Sequence, residues 1–104
     1  MKNTCFIVFL ALIFGLISHL AMGEEASPQQ GETLFNDPKI GGSTNPESCG
    51  TCHPGGKGLE ESWVKSDLAE MINFCIERPL KGKKLDVNSV EMKSLIMYMK
   101  SLDK

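Results

Sequence analysis

The sequence lacks most of what a large protein or a nucleic-acid-binding protein needs. Its 104 residues contain one tryptophan, one tyrosine and two histidines, and they show no internal repeat and no low-complexity tract. The 11 basic residues are outnumbered by 13 acidic ones, which gives a net charge of −2. A protein that neutralises phosphates needs a basic surplus, so we expect no nucleic-acid partner. A chain of this length forms one small domain at most, which excludes multi-domain enzymes and receptors.

The N-terminal segment has the pattern of a secretory signal peptide. Lys2 supplies a positive start, and residues 5–20 form an apolar run that few other residues interrupt. Ala21 and Gly23 then place small residues at the third and first positions before a cleavage site. This pattern predicts a signal peptide over residues 1–23.

Cleavage after Gly23 leaves a domain of residues 24–104, which we expect to be exported to the periplasm or an equivalent extracytoplasmic compartment, without membrane contact. The alternative is an uncleaved membrane anchor. A spanning helix needs about 20 apolar residues, however, and this run is shorter and contains His19. The remaining 81 residues hold only four aromatic side chains. Domains this small often depend on disulfides, a metal or a cofactor for stability.

The segment Cys49-Gly50-Thr51-Cys52-His53 is the C-x-x-C-H motif that attaches c-type haem. Two cysteines three positions apart at a helix start bring both thiols along one edge of a porphyrin, where they bond its two vinyl groups. His53 follows directly and points its imidazole at the iron as the proximal ligand. We therefore predict one covalent haem c, attached through Cys49 and Cys52.

Three other interpretations of this motif stay open. A thioredoxin-type redox pair would need a βαβ context, which the sequence does not show. A zinc site would need a fourth ligand, which Cys75 could supply, but there is no second C-x-x-C, and the adjacent Cys52 and His53 suit one tetrahedron poorly. A structural disulfide within the motif is compatible with the spacing but leaves His53 without a role.

Hydrophobic periodicity predicts an all-α fold without strands. A short helix is expected near residues 30–35, followed by a loop over residues 36–48 that is rich in Gly, Pro, Asn and Ser. A middle helix is expected from about Glu60 to Ile76, ending before Pro79. Its apolar stripe consists of Val64, Leu68, Met71, Ile72, Cys75 and Ile76.

The last helix is expected to begin with Asn88 as its N-cap, and Glu91 three residues later completes a capping box. Its periodic apolar positions are Met92, Leu95, Ile96, Met99 and Leu102. Residues 95–99 are all apolar, which is wider than one stripe requires. Part of this surface is therefore expected to contact a partner chain; the alternative is that Met97 is simply an exposed apolar residue.

Around the C-x-x-C-H motif, the chain resembles the class I monohaem cytochromes c, from Gly31 to Leu102. In that family the first and last helices cross near a glycine, with aromatic residues packed at the crossing. Gly31 and Phe35 match the first helix of the crossing, and Leu95 and Tyr98 match the last. The resemblance implies a small class I cytochrome c-like fold packed around one covalently bound haem.

The distal iron ligand sets the chemistry of such a haem. With His19 removed, His53 is the only histidine left, which excludes ligation by two histidines of one chain. Ordinary class I proteins place a methionine in the loop before the last helix, but residues 79–88 contain none. The remaining candidates are a lysine, an empty position, or one of Met71, Cys75, Met92, Met97 and Met99.

Cys75 is the favoured distal ligand. A single leftover cysteine in an oxidising compartment is prone to oxidation or mispairing, and binding to a ferric iron would stabilise its thiolate. The alternative is that Cys75 is a small buried apolar residue, as free cysteines often are. Met71 lies one turn earlier on the same helical face and would then take the ligand position.

A closer resemblance also points to Cys75. Residues 72–85, followed by Ser89-Val90-Glu91-Met92 and Tyr98, are similar to the I-N-x-C…G-x-x-L…S-x-E-M…Y pattern of His/Cys-ligated cytochromes. Sulfur-oxidation cytochromes and thiosulfate dehydrogenases carry related segments, but with two haems or a longer loop between motif and cysteine. The monohaem subunits of the anammox NaxLS heterodimer match better in size. This resemblance implies Cys75 as distal ligand, a low potential, and binding of small gases such as NO to the reduced haem.

These features predict low-potential electron transfer, with binding of NO or CO at the reduced haem as a second class of function. We expect no enzymatic activity, because the chain has no recognisable substrate pocket. The alternatives are an ordinary His/Met-ligated electron carrier and a haem subunit of an enzyme that oxidises sulfur compounds. Expected partners are redox proteins and a second small monohaem cytochrome, in a heterodimer or a homodimer. A basic cluster suits an acidic redox partner unless it is only a solvated surface: Arg78, Lys81, Lys83 and Lys84.

Overall fold

A computed structural model of the protein describes residues 25–102, apart from the side chain of Trp63. Four α-helices and three short 3₁₀ turns make up its regular structure, and this part of the chain contains no β-strand. The helices are α1 (Pro28–Phe35), α2 (Cys49–Cys52), α3 (Leu68–Glu77) and α4 (Val90–Ser101). The 3₁₀ turns are Ile40–Gly42, Pro54–Gly56 and Ser62–Val64. The predicted all-α class is therefore confirmed.

The signal peptide predicted for residues 1–23, with its cleavage after Gly23, lies outside the described residues. Between residues 25 and 102, no helix is long and apolar enough to span a membrane.

Helix α1 begins two residues earlier than the apolar pattern predicts, because its start is set by capping. The Ser27 hydroxyl accepts a hydrogen bond from the backbone N–H of Gln30 (3.1 Å), and Pro28 occupies the first turn. Serine is a favoured N-cap, and proline costs nothing in the first turn, where its missing N–H would have no partner in the helix. The helix then buries Gly31 and Phe35 on one face.

Helices α1 and α4 cross in close contact at Gly31. A Cβ atom at this position would overlap the backbone carbonyl of Ser94 and lie 2.7 Å from the Cβ of Tyr98. Only glycine permits this approach of two backbones. One turn further along α1, the ring of Phe35 packs on that of Tyr98, with centroids 5.2 Å apart and planes tilted by 56°.

A buried hydroxyl satisfies the polar groups at this crossing. Ser94 on α4 has no exposed surface, and its Oγ accepts a hydrogen bond from the backbone N–H of Ser27 (3.1 Å). The same hydroxyl donates to Oε1 of Gln30 (3.2 Å). The start of α1 is thus tied directly to the middle of α4, and the buried hydroxyl avoids the cost of an unpaired polar group.

The predicted middle helix from Glu60 to Ile76 is wrong in its first half. The chain forms a 3₁₀ turn at Ser62–Val64, becomes extended at Lys65 and enters α3 only at Leu68. The Ser62 hydroxyl bonds the carbonyl of Leu59 (2.7 Å), a local bond that competes with helix propagation. Val64 fits the apolar period but is 62% exposed, so its match to the stripe was accidental.

Helix α4 starts one residue later than predicted. Ser89, not Asn88, is the N-cap, and its hydroxyl accepts from the backbone N–H of Met92 (3.2 Å). The backbone N–H of Asn88 instead donates to Oδ1 of Asp86 (2.7 Å) in the preceding turn. The predicted capping box with Glu91 is therefore wrong.

Most side chains of the apolar run of residues 95–99 are buried or partly buried in the protein's own core. Leu95, Tyr98 and Met99 are buried, and Ile96 is partly buried against them. Met97 is 40% exposed. The run therefore presents one exposed apolar side chain rather than a broad face, and a partner at this helix stays a prediction.

The helix crossing makes a prediction about Gly31. In an exposed helix interior, replacing glycine by alanine stabilises by up to ~1 kcal/mol. At this crossing the added methyl has no space, so we expect Gly31→Ala to destabilise the protein by roughly 1–3 kcal/mol in urea unfolding. The exposed Gln29→Ala on the same helix serves as control and should change stability by less than about 0.5 kcal/mol. A Gly31→Ala variant as stable as the parent would show that the helices do not meet there.

Candidate functional site

All four helices contribute to one open cleft. Its empty volume is about 720 Å³, which includes open solvent at its mouth. Most of its wall is apolar, and its polar groups are thiols, hydroxyls and one imidazole. The lining residues are Phe35, Ser48, Cys49, Cys52, His53, Leu59, Ser62, Leu68, Met71, Ile72, Cys75, Pro79, Leu80, Leu95 and Met99. The four residues predicted to bind haem or its iron, Cys49, Cys52, His53 and Cys75, are thus brought together.

A reciprocal cap holds the short helix α2 at one end of the cleft. The backbone N–H of Thr51 donates to the Ser48 hydroxyl (3.3 Å), and the backbone N–H of Ser48 donates to Oγ1 of Thr51 (3.0 Å). This capping box was not predicted, although the S-x-x-T spacing was there to be read. It fixes one helical turn, on which Cys49 and Cys52 are three residues apart and therefore share a face.

The His53 ring is oriented by its own loop. Its Nδ1 lies 3.0 Å from the backbone carbonyl oxygen of Lys57. Because a carbonyl can only accept, Nδ1 carries a proton, and in the neutral ring Nε2 is then the nitrogen with the free lone pair. A backbone carbonyl on one ring nitrogen is the usual way in which a protein fixes the tautomer of a ligand histidine.

The loop after His53 turns tightly through glycines. Gly56 and Gly58 have φ values of +79° and +89°, which side chains other than glycine rarely adopt. Gly56 packs against Leu102 at the end of α4, so the loop is held against the last helix. This arrangement keeps the Lys57 carbonyl in place beneath the imidazole.

Helix α3 presents two faces. Leu68, Ile72 and Ile76, four residues apart, are buried in the core. Met71 and Cys75, also four residues apart, are more exposed and line the cleft. Leu68 and Ile72 line the cleft as well, so the members of the predicted stripe differ in burial, and the two that contain sulfur are more exposed.

Only some of the predicted sulfur ligands line the cleft. Cys75, Met71 and Met99 line it, whereas Met92 is fully buried elsewhere in the core and Met97 is exposed on α4. No lysine is among the residues that line the cleft. Three of the predicted sulfur ligands therefore line the cleft.

The three described cysteines are free thiols, so the structure contains no disulfide between residues 25 and 102. Burial raises the pKa of Cys49 to about 11, and the nearby Cys75 adds to the rise. Burial of the thiol also raises the pKa of Cys75, with a further contribution from Cys52. All three thiols line the same cleft.

Within residues 25–102, no three His, Cys, Asp or Glu side chains converge to hold a free metal ion. A haem needs no such cluster, because its porphyrin supplies four of the iron ligands and the protein adds only axial ones. The cleft offers two such side chains, the imidazole of His53 directly after α2 and the thiol of Cys75 on α3.

Three residues that support the cleft were missed by the sequence analysis. Asn73 on α3 hydrogen-bonds the backbone of Leu85. Ser43 and Asn45 donate to the backbone carbonyls of two residues that line the cleft, Leu80 and Pro79 respectively. Asn73 stands inside the I-N-x-C segment, which was the one available signal, yet no role followed from it. Its partner lies 12 residues away, a distance at which periodicity gives no information.

The cap on α2 makes a prediction about Ser48. Removing its hydroxyl leaves the Thr51 N–H only the backbone carbonyl of Ser48 (3.1 Å) and removes the bond between the Ser48 and Thr51 hydroxyls, so we expect Ser48→Ala to destabilise the protein by about 1 kcal/mol in chemical unfolding. Thr44→Ala, which removes an exposed hydroxyl from the preceding loop, is the control and should have little effect. Equal effects of the two substitutions would argue against the cap as the element that holds α2.

No protein-family model, no curated protein and no solved structure matches this chain.

Proposed function

We propose that the protein is an exported monohaem c-type cytochrome with a class I-like fold, and that it transfers electrons at low potential. The observation that carries the proposal is the meeting of Cys49, Cys52, His53 and Cys75 in one apolar cleft. The glycine-mediated crossing of α1 and α4, with its Phe35–Tyr98 pair, is the arrangement that the class I resemblance implies, and it supports the fold assignment.

The cleft fits a covalently held haem on three counts. Its wall is predominantly apolar, which suits a porphyrin face. Cys49 and Cys52 are free, share one helical face and open into the cleft, so both thiols are available for attachment. The bond from Nδ1 of His53 to the Lys57 carbonyl selects the tautomer whose Nε2 has the lone pair that an iron ligand requires. When bound, the haem would supply one-electron redox chemistry at its iron.

Cys75 is the distal ligand in this proposal. It faces the cleft from α3, on the element opposite the motif, and its thiol is free. An anionic sulfur ligand stabilises the ferric form and so lowers the reduction potential. Met71 and Met99 share the same wall, and ligation by either would give the alternative, an ordinary His/Met-ligated electron carrier.

Binding of NO or CO at the reduced haem is the second part of the proposed function. The mouth of the cleft is open beside Met71, which is 44% exposed, so a small gas has a route to the distal side. The proposed partners are redox proteins and a second small monohaem cytochrome. A haem subunit of a sulfur-oxidising enzyme is the remaining alternative, and turnover of thiosulfate would distinguish it.

Covalent attachment is tested by the two motif thiols. We expect the parent, produced together with a c-type haem attachment system, to keep haem stain on a denaturing gel, because thioether bonds survive unfolding. A Cys49→Ser/Cys52→Ser double variant should lose the stain, whereas Cys75→Ser should retain it. A parent that carries no covalent haem would contradict the proposal.

The distal ligand is tested by electron paramagnetic resonance of the ferric protein. We expect the narrow low-spin signal of thiolate ligation in the parent and its loss in Cys75→Ser. Met71→Leu and Met99→Leu, which alter the other two sulfur atoms of the cleft, are the matched controls and should keep the signal. A spectrum that is unchanged in Cys75→Ser but altered in one methionine variant would favour the His/Met alternative.

A further inference from the structure

Asn73 makes two hydrogen bonds that tie α3 to the following loop. Its side chain is only 5% exposed and lies two residues before Cys75. Nδ2 donates to the carbonyl of Leu85 (2.9 Å), and Oδ1 accepts from the backbone N–H of the same residue (2.8 Å). The backbone of one residue thus pairs with both the oxygen and the nitrogen of the amide. The two hydrogen bonds together fix the position and the orientation of Leu85 relative to α3.

The loop held in this way, residues 78–89 between α3 and α4, caps the end of α3. The backbone N–H of Leu80 donates to the carbonyl of Cys75 (3.2 Å), and that of Gly82 donates to the carbonyl of Ile76 (2.7 Å). These carbonyls belong to the last turn of α3, where a helix has no partners of its own for them. The loop therefore supplies the bonds that keep this turn from fraying.

A second segment anchors the same loop from the other side. Asn45 Nδ2 donates to the carbonyl of Pro79 (2.9 Å), and the Ser43 hydroxyl donates to the carbonyl of Leu80. Pro79 and Leu80 both line the cleft together with Cys75. The wall beside the Cys75 thiol is thus built from a loop without helical structure, held by side-chain bonds.

Backbone strain in this loop indicates how firmly it is held. Lys81 has φ of +60°, in the left-handed region that lysine rarely adopts. Such a conformation persists only where the surroundings determine it. Here the flanking Leu80 and Gly82 are both bonded to α3, and Lys83 donates to the carbonyl of Gly41 (2.8 Å).

We propose that Asn73 is a positioning residue for the distal side of the cleft: by holding Leu85 against α3, it keeps the loop on the last helical turn and thereby fixes the direction of the Cys75 thiol. This inference rests on the proposed function, in which Cys75 is the distal iron ligand. It assigns to Asn73 no contact with the haem.

The test uses the full-length, haem-loaded protein with Asn73→Ala and two comparison variants. Asn73→Asp keeps the size of the side chain and the acceptor for the Leu85 N–H but loses the donor, so it serves if Asn73→Ala does not fold. Ser94→Ala is the matched control. It also removes a buried side chain with two hydrogen bonds, but at the α1–α4 crossing.

Two readouts separate positioning from general stability. Hydrogen exchange of residues 78–89, followed by mass spectrometry, should accelerate roughly tenfold or more in Asn73→Ala, because two buried hydrogen bonds are lost. The ferric thiolate signal should lose at least about half its intensity or split into several forms. Ser94→Ala should leave both unchanged while lowering the urea midpoint.

The outcomes are distinguishable from one another. A loop that exchanges faster while the thiolate signal matches the parent would overturn the positioning role, since the loop would then move without moving Cys75. Equal loss of the signal in Asn73→Ala and Ser94→Ala would also overturn it, as an effect of stability alone. A parent without any thiolate signal would instead refute ligation by Cys75, and the failure would then belong to the proposed function.

Discussion

Gly31 lies against the backbone of Ser94, and this contact sets the distance between the two helices that enclose the core. Because α1 and α4 approach so closely, the Phe35 and Tyr98 rings can meet, and the Ser94 hydroxyl can bond the first turn of α1. With the first and last helices of residues 25–102 joined in this way, the short α2, the turns and α3 close around the remaining space. The cleft exists because the crossing holds its walls at a fixed separation, and a chain with so few large apolar residues does not fill it.

The core and the cleft share residues, so binding of a group in the cleft affects the stability of the folded protein. Leu68, Ile72, Leu80, Leu95 and Met99 belong to the buried cluster and also line the cleft. A group bound there would cover apolar surface that the protein alone leaves open, and any ligand of the folded form stabilises it relative to the unfolded chain. In a domain of this size that contribution is large against the total stability, which is why a covalently attached cofactor suits the composition.

The sequence was most informative where the determinants are local. The all-α class follows from the helical spacing of the apolar residues. The C-x-x-C-H spacing predicted that Cys49, Cys52 and His53 would lie side by side. Local reasoning failed at Ser62–Val64, where side-chain bonds interrupt an apolar period that continues through Val64. It also failed at the start of α4, where Ser89 and Asn88 are both good caps and the turn around Asp86 decides between them. The bonds of Asn73 and Ser43 span 12 and 37 residues, and nothing in a single sequence specifies such pairs.

The two sides of the cleft differ in how far apart in the sequence their hydrogen-bond partners lie. His53 is fixed by its neighbours, since its backbone N–H donates to the carbonyl of Cys49 (2.9 Å) and its ring bonds the carbonyl of Lys57, each four residues away. Cys75 lies on a helical turn whose carbonyls are bonded by the loop that follows α3, and that loop is held in turn by Asn45, 34 residues from its bonding partner. Contacts that close long loops depend on the tertiary structure as a whole, whereas contacts within one turn do not. The His53 side of the cleft is therefore held by contacts within a few residues, whereas the Cys75 side depends on contacts between segments that are far apart in the sequence. In the proposed function, this difference would favour release of Cys75 over release of His53 when a small gas binds at the reduced haem.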